Sequence, residues 1–327
     1  MRSMKYIDKP YPLPEHLYRE AVEGIVHRNY RTPGLKAIYQ FGNITRPGIS
    51  DLDLVFVFED GARCNLKGTE ELPERHKPLF THGIMACAEK HFIENNHFTL
   101  WSDYQLKWGT SVLEDKHATT RTKEQEKALK VQTALEFLLA NYIDLKVQRT
   151  YGIVKLRALL QHLKGVLYDL EYLDDMQAPI HPPLLQLKSW IQQWFEHPPA
   201  EAELSAWIHA FETAYSHYTE QKLREIPLYL PDAALYPIAK NMDLRKGQYL
   251  SFTQKGWTLP NHLYFLGRKY FKLQNKLNRF SISCPLQHSA EEIVVQRFAF
   301  LQRMKAYNNV HLPHFMTMTT SITAKLI

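Results

Sequence analysis

AIYQFGNITRPGISDLDLVFVFE, residues Ala37 to Glu59, holds two apolar runs joined by a short polar loop. The first run, Ala37 to Phe41, stops at Gly42, and a Pro47-Gly48 turn follows. Ser50-Asp51-Leu52-Asp53 then opens the second run, which reaches Phe58. That run, LVFVF, is continuous rather than alternating, as expected of a strand covered on both faces. Side chains alternate along a strand, so Asp51 and Asp53 share a face roughly 6.5–7 Å apart, with Leu52 and Leu54 opposite. Two like charges held side by side call for a positive partner. A hard divalent cation such as Mg2+ takes carboxylate oxygens together with the phosphates of a substrate.

Working outward, residues 15–30 carry apolar side chains at helical spacing (Leu17, Ala21, Val22, Ile25, Val26) and end at the Thr32-Pro33-Gly34 turn. Strands are predicted over 36–41 and 52–58, polar loop or flap over 60–77, a helix over 78–94 and a third strand over 97–107, closed by Gly109. This alternation of helix and strand predicts a small α/β domain. The charged segment Asp115 to Lys127 marks its boundary. Beyond it, helical periodicity predicts helices over 126–147, 151–173, 183–196, 201–224, 259–280 and 289–308, with an irregular stretch at 225–257 and a loose tail. The expected fold class is α+β, an α/β domain over 1–118 followed by an all-helical domain over 119–327.

The 327 residues are 45% apolar, enough for two cored domains. Lys and Arg exceed Asp and Glu by 40 to 34, a mild excess that suits an anionic substrate such as a nucleotide without demanding nucleic acid. Cys64, Cys87 and Cys284 are far apart, which indicates neither a zinc cluster nor a disulfide framework and points to a reducing, cytoplasmic setting. No secretory leader and no long uncharged apolar stretch occurs, so no membrane partner is expected.

The Phe41-Gly42-Asn43 step, the loop Ile44–Ser50 and Asp51-Leu52-Asp53-Leu54 resemble the signature of the DNA polymerase β-type nucleotidyltransferase superfamily. The resemblance covers about residues 15–110. The family usually places Ser or Gly where this chain has Asn43, whose amide can still donate to a phosphate. The resemblance implies transfer of an NMP from an NTP, with ATP favoured, by two Mg2+ ions or Mn2+ held by Asp51 and Asp53. It also implies a third carboxylate on a neighbouring strand, for which Asp103 is the candidate, as catalytic residue and metal ligand. Gly42, Asn43, Arg46, Ser50 and Lys155 are the candidate nucleotide-binding residues, with Arg157 as a neighbour of Lys155 near a helix start. The second domain would close the cleft and bind the acceptor.

The expected acceptor is a small molecule or protein, with an RNA or tRNA 3′-end nucleotidyltransferase, or a toxin-like modifier of tRNA or of a partner protein, as the alternative. A catalytically inactive nucleotide-sensing or partner-binding module is the competing class. Arg268, Lys272, Lys276 and Arg279, interleaved with Tyr264, Phe265, Tyr270 and Phe271, form a basic-aromatic stripe of the kind single-stranded nucleic acid uses and ordinary surface helices also show. Among sixteen histidines, His91, His97 and the His82–Cys87 neighbourhood show no metal-ligand spacing, and surface or core roles are expected for them.

Overall fold

The computed structural model describes residues 4–66, 72–100, 103–113 and 121–318. In chain order the elements are β1 (Lys5–Ile7), α1 (Glu15–Asn29), β2 (Leu35–Phe41), β3 (Asp53–Phe58), β4 (Met85–Ala88), α2 (Glu89–Asn95), β5 (Tyr104–Gly109), α3 (Lys123–Tyr151), β6 (Ile153–Lys155) and α4 (Leu156–Tyr172). They continue with α5 (His181–Gln193), α6 (Glu201–Glu225), β7 (Leu228–Tyr229), β8 (Tyr236–Ala239), β9 (Met242–Lys246), β10 (Ser251–Gly256), α7 (Arg268–Leu277), β11 (Asn278–Cys284), β12 (Leu286–Gln287) and α8 (Glu292–His311). The chain is a mixed α/β protein whose described residues divide into two compact units. The first comprises 11–129 and 296–318, the second 4–10 and 130–295.

The first unit is built on a sheet of order β4-β3-β2-β5. β2 runs antiparallel to β3 and to β5, whereas β3 and β4 are parallel. Every residue from Leu54 to Phe58 is at most 1% exposed, as the unbroken apolar run predicts for a strand flanked on both edges. α1 buries Leu17, Tyr18, Ala21, Val22 and Ile25 into a core shared with Ile38, Leu54, Phe56 and Phe58. The distant segment 296–318 completes that core. Phe315 packs its ring 5.6 Å from Phe56 and 5.9 Å from Phe58. Met316 pairs with β4 through an amide donated to the Ile84 carbonyl and a carbonyl that accepts from Ala86. Gly109 ends β5 at φ +91°, where a Cβ would lie 2.0 Å from the Lys36 carbonyl oxygen.

Two predicted elements of this unit differ. The helix over 78–94 is instead a 3-10 turn at Lys77–Leu79, the strand β4, and the short α2. Ala86, Cys87 and Ala88 are fully buried beside β3, and sheet pairing outweighs helical propensity there. The third predicted strand begins later, at Tyr104, and pairs with β2 rather than β3, because β4 occupies the free edge of β3. Parts of the predicted flap (67–71), the third strand (101–102), the boundary segment (115–120, with residue 114 before it) and the tail (319–327) lie outside the described residues.

The second unit is not all-helical. α3 through α7 supply its helices, but β1 pairs with β6, β12 with β7, and a second four-stranded sheet has the order β10-β11-β9-β8. The helix predicted over 259–280 stops at Leu277. The next residues, NRFSISC, alternate buried Phe280, Ile282 and Cys284 with outward Arg279, Ser281 and Ser283, the period-two pattern of a half-covered strand. The stretch read as irregular at 225–257 supplies its partners β8, β9 and β10. No described helix is long and apolar enough to cross a membrane.

Candidate functional site

The loop between β2 and β3 is fixed by its own backbone and by α1. The Ile49 and Ser50 amides donate to the Arg46 carbonyl at 3.0 and 2.8 Å, and the Arg46 amide donates to Ser50 Oγ at 3.0 Å. The Tyr18 hydroxyl donates to the Ser50 carbonyl at 2.7 Å and accepts from the Gly48 amide at 2.9 Å. Leu52 is buried and its amide donates to the Leu79 carbonyl. With Leu52 anchored inward, Asp51 and Asp53 fall on one face at the start of β3, about one-fifth exposed.

Gly42, at the end of β2, adopts φ +71°, and a Cβ placed there would lie 3.9 Å from Asp53 Oδ2. The register Val55↔Met85, carried back along the parallel pair, sets the entry to β4 beside Asp53. His82 sits there. Its Nε2 lies 2.7 Å from Asp53 Oδ1 and 4.0 Å from Asp51 Oδ2, and its Nδ1 is 2.8 Å from the Gly83 carbonyl. Thr81 Oγ1 donates to Asp51 Oδ2.

Both imidazole nitrogens of His82 face acceptors, an arrangement that only the doubly protonated ring satisfies. Burial by itself would depress its pKa, but the Asp53 hydrogen bond and charge, the Gly83 carbonyl and Asp51 outweigh it and push the pKa up to about 9. Asp53 is raised, first by burial and also by the Asp51 charge, with His82 opposing. Two adjacent carboxylates are thus balanced by one imidazolium.

One ligand atom each from Asp51, Asp53 and His82 can be chosen so that all lie within 4.8 Å of one another, close enough to hold a metal ion. The carboxylate oxygens suit Mg2+ or Mn2+, and an imidazole nitrogen joins such a set only after it releases its proton. The residues therefore fit a divalent cation on Asp51 and Asp53, with His82 as an additional donor that sequence spacing did not reveal.

Asp103 does not join this group. It precedes β5, one strand beyond β2, where its exposed carboxylate accepts from Asn43 Nδ2 at 3.1 Å. Gln105 Nε2 reaches Asn43 Oδ1 at 3.5 Å. Asn43 also lines a cleft of about 890 Å3 between α1 and the β2–β5 edge, with Arg19, Gln40, Gln105, Lys107 and Trp108. Ser50 orders the loop through its hydroxyl, and Arg46 forms the loop's turn. Lys155 belongs to the second unit, where its ammonium lies 5.5 Å from the Phe271 ring centroid. Arg157, in the same unit, is buried, with Nε 3.5 Å from Asp8 Oδ2. His91 is a core residue, packed edge-on to Tyr307 at 5.0 Å.

Compared with models of known protein families, with curated proteins and with solved structures, the chain matches none. The reading of the site therefore stands on its geometry and on the motif.

Proposed function

We propose that the first unit is a nucleotidyltransferase that moves an NMP from an NTP, with ATP the first candidate, to an acceptor. The observation that carries this is the Asp51–Asp53 face set directly against Gly42, a residue whose missing side chain leaves backbone open beside a carboxylate pair. Asp51 and Asp53 would hold Mg2+ or Mn2+, which would supply neutralisation of the negative charge on the phosphates.

The chain's own residues prepare that event. Tyr18 and Ser50 hold the loop, so the backbone that carries the acids is already ordered. Gly42 admits a phosphate close to the backbone. Asp103 and Gln105 fix the amide of Asn43, which places a donor beside Gly42 where the related signature has Ser or Gly. His82 holds a proton at Nε2 against Asp53 and keeps the acid pair balanced before substrate arrives. The acceptor is a small molecule or a protein, with an RNA 3′ end as the alternative.

The imidazolium of His82 also favours a second reading. A positive side chain standing where a cation would go suits a module that binds nucleotide or partner without turnover.

Incubation with α-labelled NTPs and Mg2+ or Mn2+ separates the two, with Asp53→Asn as control. Labelled acceptor that disappears in the variant supports transfer. Nucleotide binding that needs no metal and gives no product supports the sensing module, whereas neither product nor binding sinks both transfer and nucleotide sensing and supports a partner-binding scaffold.

A further inference from the structure

The net charge of the chain is not spread over it. From Lys240 to Arg279 there are nine Lys and Arg against the single Asp243, a local charge of +8, so the rest of the chain carries −2 of the overall +6. All nine cations are exposed. Among the described residues, Arg245 pairs with Asp243, and the others have no carboxylate partner.

The structure divides these charges between two adjoining surfaces. In the second sheet, β11 turns Phe280, Ile282 and Cys284 inward and Arg279, Ser281 and Ser283 outward. Directly paired residues share a face. The outer face therefore gains Lys255, Thr253 and Ser251 from β10, and Asp243 and Arg245 from β9. It is a platform of small hydroxyls and cations. α7 buries Tyr270 and Gln274, so the opposite stripe presents Arg268, Lys272 and Lys276. Arg279 joins the two surfaces: it stands on the platform while its guanidinium donates to the Asn275 and Lys276 carbonyls at the end of α7.

Large aromatic rings stand out of the same stretch. Trp257 is 83% exposed, Phe265 75% and Tyr249 56%. Such exposure of rings is costly in water and useful to a ligand with flat faces of its own. Cations that track a phosphate backbone, with rings on which unpaired bases stack, are the elements of single-strand binding. A membrane surface fits less well, because the sheet face sets the hydroxyls of Ser251, Thr253, Ser281 and Ser283 among its cations and offers no apolar side chain to enter a bilayer.

We propose that the surface formed by the outer face of β9–β11, α7 and the Trp257 and Phe265 rings binds single-stranded nucleic acid. The binding does not depend on nucleotidyl transfer and is tested without NTP or divalent metal. Fluorescence anisotropy of labelled oligo(U) and oligo(dT) with the full chain gives the affinity. With about four phosphates neutralised, the loss from 50 to 200 mM salt is about 50-fold.

The variant Lys272→Glu/Lys276→Glu lies on an exposed helix stripe. It is expected to keep the wild-type melting temperature and to bind at least about tenfold more weakly. Trp257→Ala leaves the salt slope unchanged and weakens binding roughly fivefold or more through lost stacking. Oligonucleotide binding that ignores the charge reversal, or is absent from the wild type, overturns the proposal. So does tighter retention by phosphatidylserine-rich vesicles than by either oligonucleotide.

Discussion

Replacing His82 with Gln removes the one positive charge set between Asp51 and Asp53 while keeping a side chain of similar size. At an effective dielectric near 20, opposite charges about 4 Å apart interact by about 4 kcal/mol. Exposed pairs return about 0.2–1 kcal/mol of this and buried pairs cost about 3–5 when broken. The three side chains are 20, 22 and 32% exposed, which places the loss in between, at about 2 kcal/mol. For a unit of this size that lowers the melting temperature by roughly 6–10 °C.

The same substitution frees the acids for a metal. A cation supplied at about 100 times its Kd returns about 2.7 kcal/mol, enough to erase the loss. Melting curves at pH 7 and constant ionic strength, with and without MgCl2 or MnCl2, read both effects. The wild type should gain less from metal than His82→Gln, because there the ion must displace a bound proton. The reasoning fails if the variant melts with the wild type. It also fails if Mg2+ and Mn2+ protect it no better than matched NaCl.

Asp103→Asn keeps a partner for Asn43, so kcat should change by less than about threefold while the nucleotide KM rises. A fall in kcat as large as that of Asp53→Asn would return Asp103 to the metal site. Gly42→Ala puts an L side chain at φ +71°, a strain of about 1–2 kcal/mol, and directs a methyl at Asp53. Nucleotide binding by calorimetry should weaken by more than the stability change accounts for, and equal nucleotide affinity would remove Gly42 from the site. Burial, aided by the Lys90 and Arg303 charges against Asp60, depresses His91 to about 4. Its neutral form belongs to the fold, so stability is complete above the unfolded value near 6.5 and falls as pH drops toward 4, by up to about 3 kcal/mol. Denaturant midpoints between these pH values should fall in the wild type and flatten in His91→Phe, and parallel profiles would exclude His91 as the cause.

What was legible in the sequence depended on apolar pattern. α1 announced itself by apolar positions at helical spacing, β2 and β3 by apolar runs ended by turn residues, and Asp51 and Asp53 followed from β3. β4 was hidden because Ile84–Ala88 is too short to distinguish a buried strand from a helix turn. With β4 went His82, whose approach to Asp53 exists only through a parallel pairing of residues about thirty positions apart. Gly83, which interrupts the predicted helix just before that apolar run, was the available signal. β11 did show alternation at Phe280, Ile282 and Cys284, but a helix drawn through Phe280 absorbed its start. Nothing local in 296–318 reveals that it belongs with the first sheet, since that depends on Phe315 and Met316 meeting side chains and backbone far away in sequence.

That last arrangement orders events during synthesis. The acids, Gly42 and His82 all leave the ribosome well before residues 296–318. The strand edge beside β4 and the aromatic cover over Phe56 and Phe58 arrive only with Met316 and Phe315. At about 5–20 residues per second, roughly 200 residues separate β5 from that cover, an interval of about 10–40 s. Through it the nascent sheet has an open edge and an exposed apolar face. The unit that carries Asp51, Asp53 and His82 therefore completes its core only when residues far later in the chain arrive.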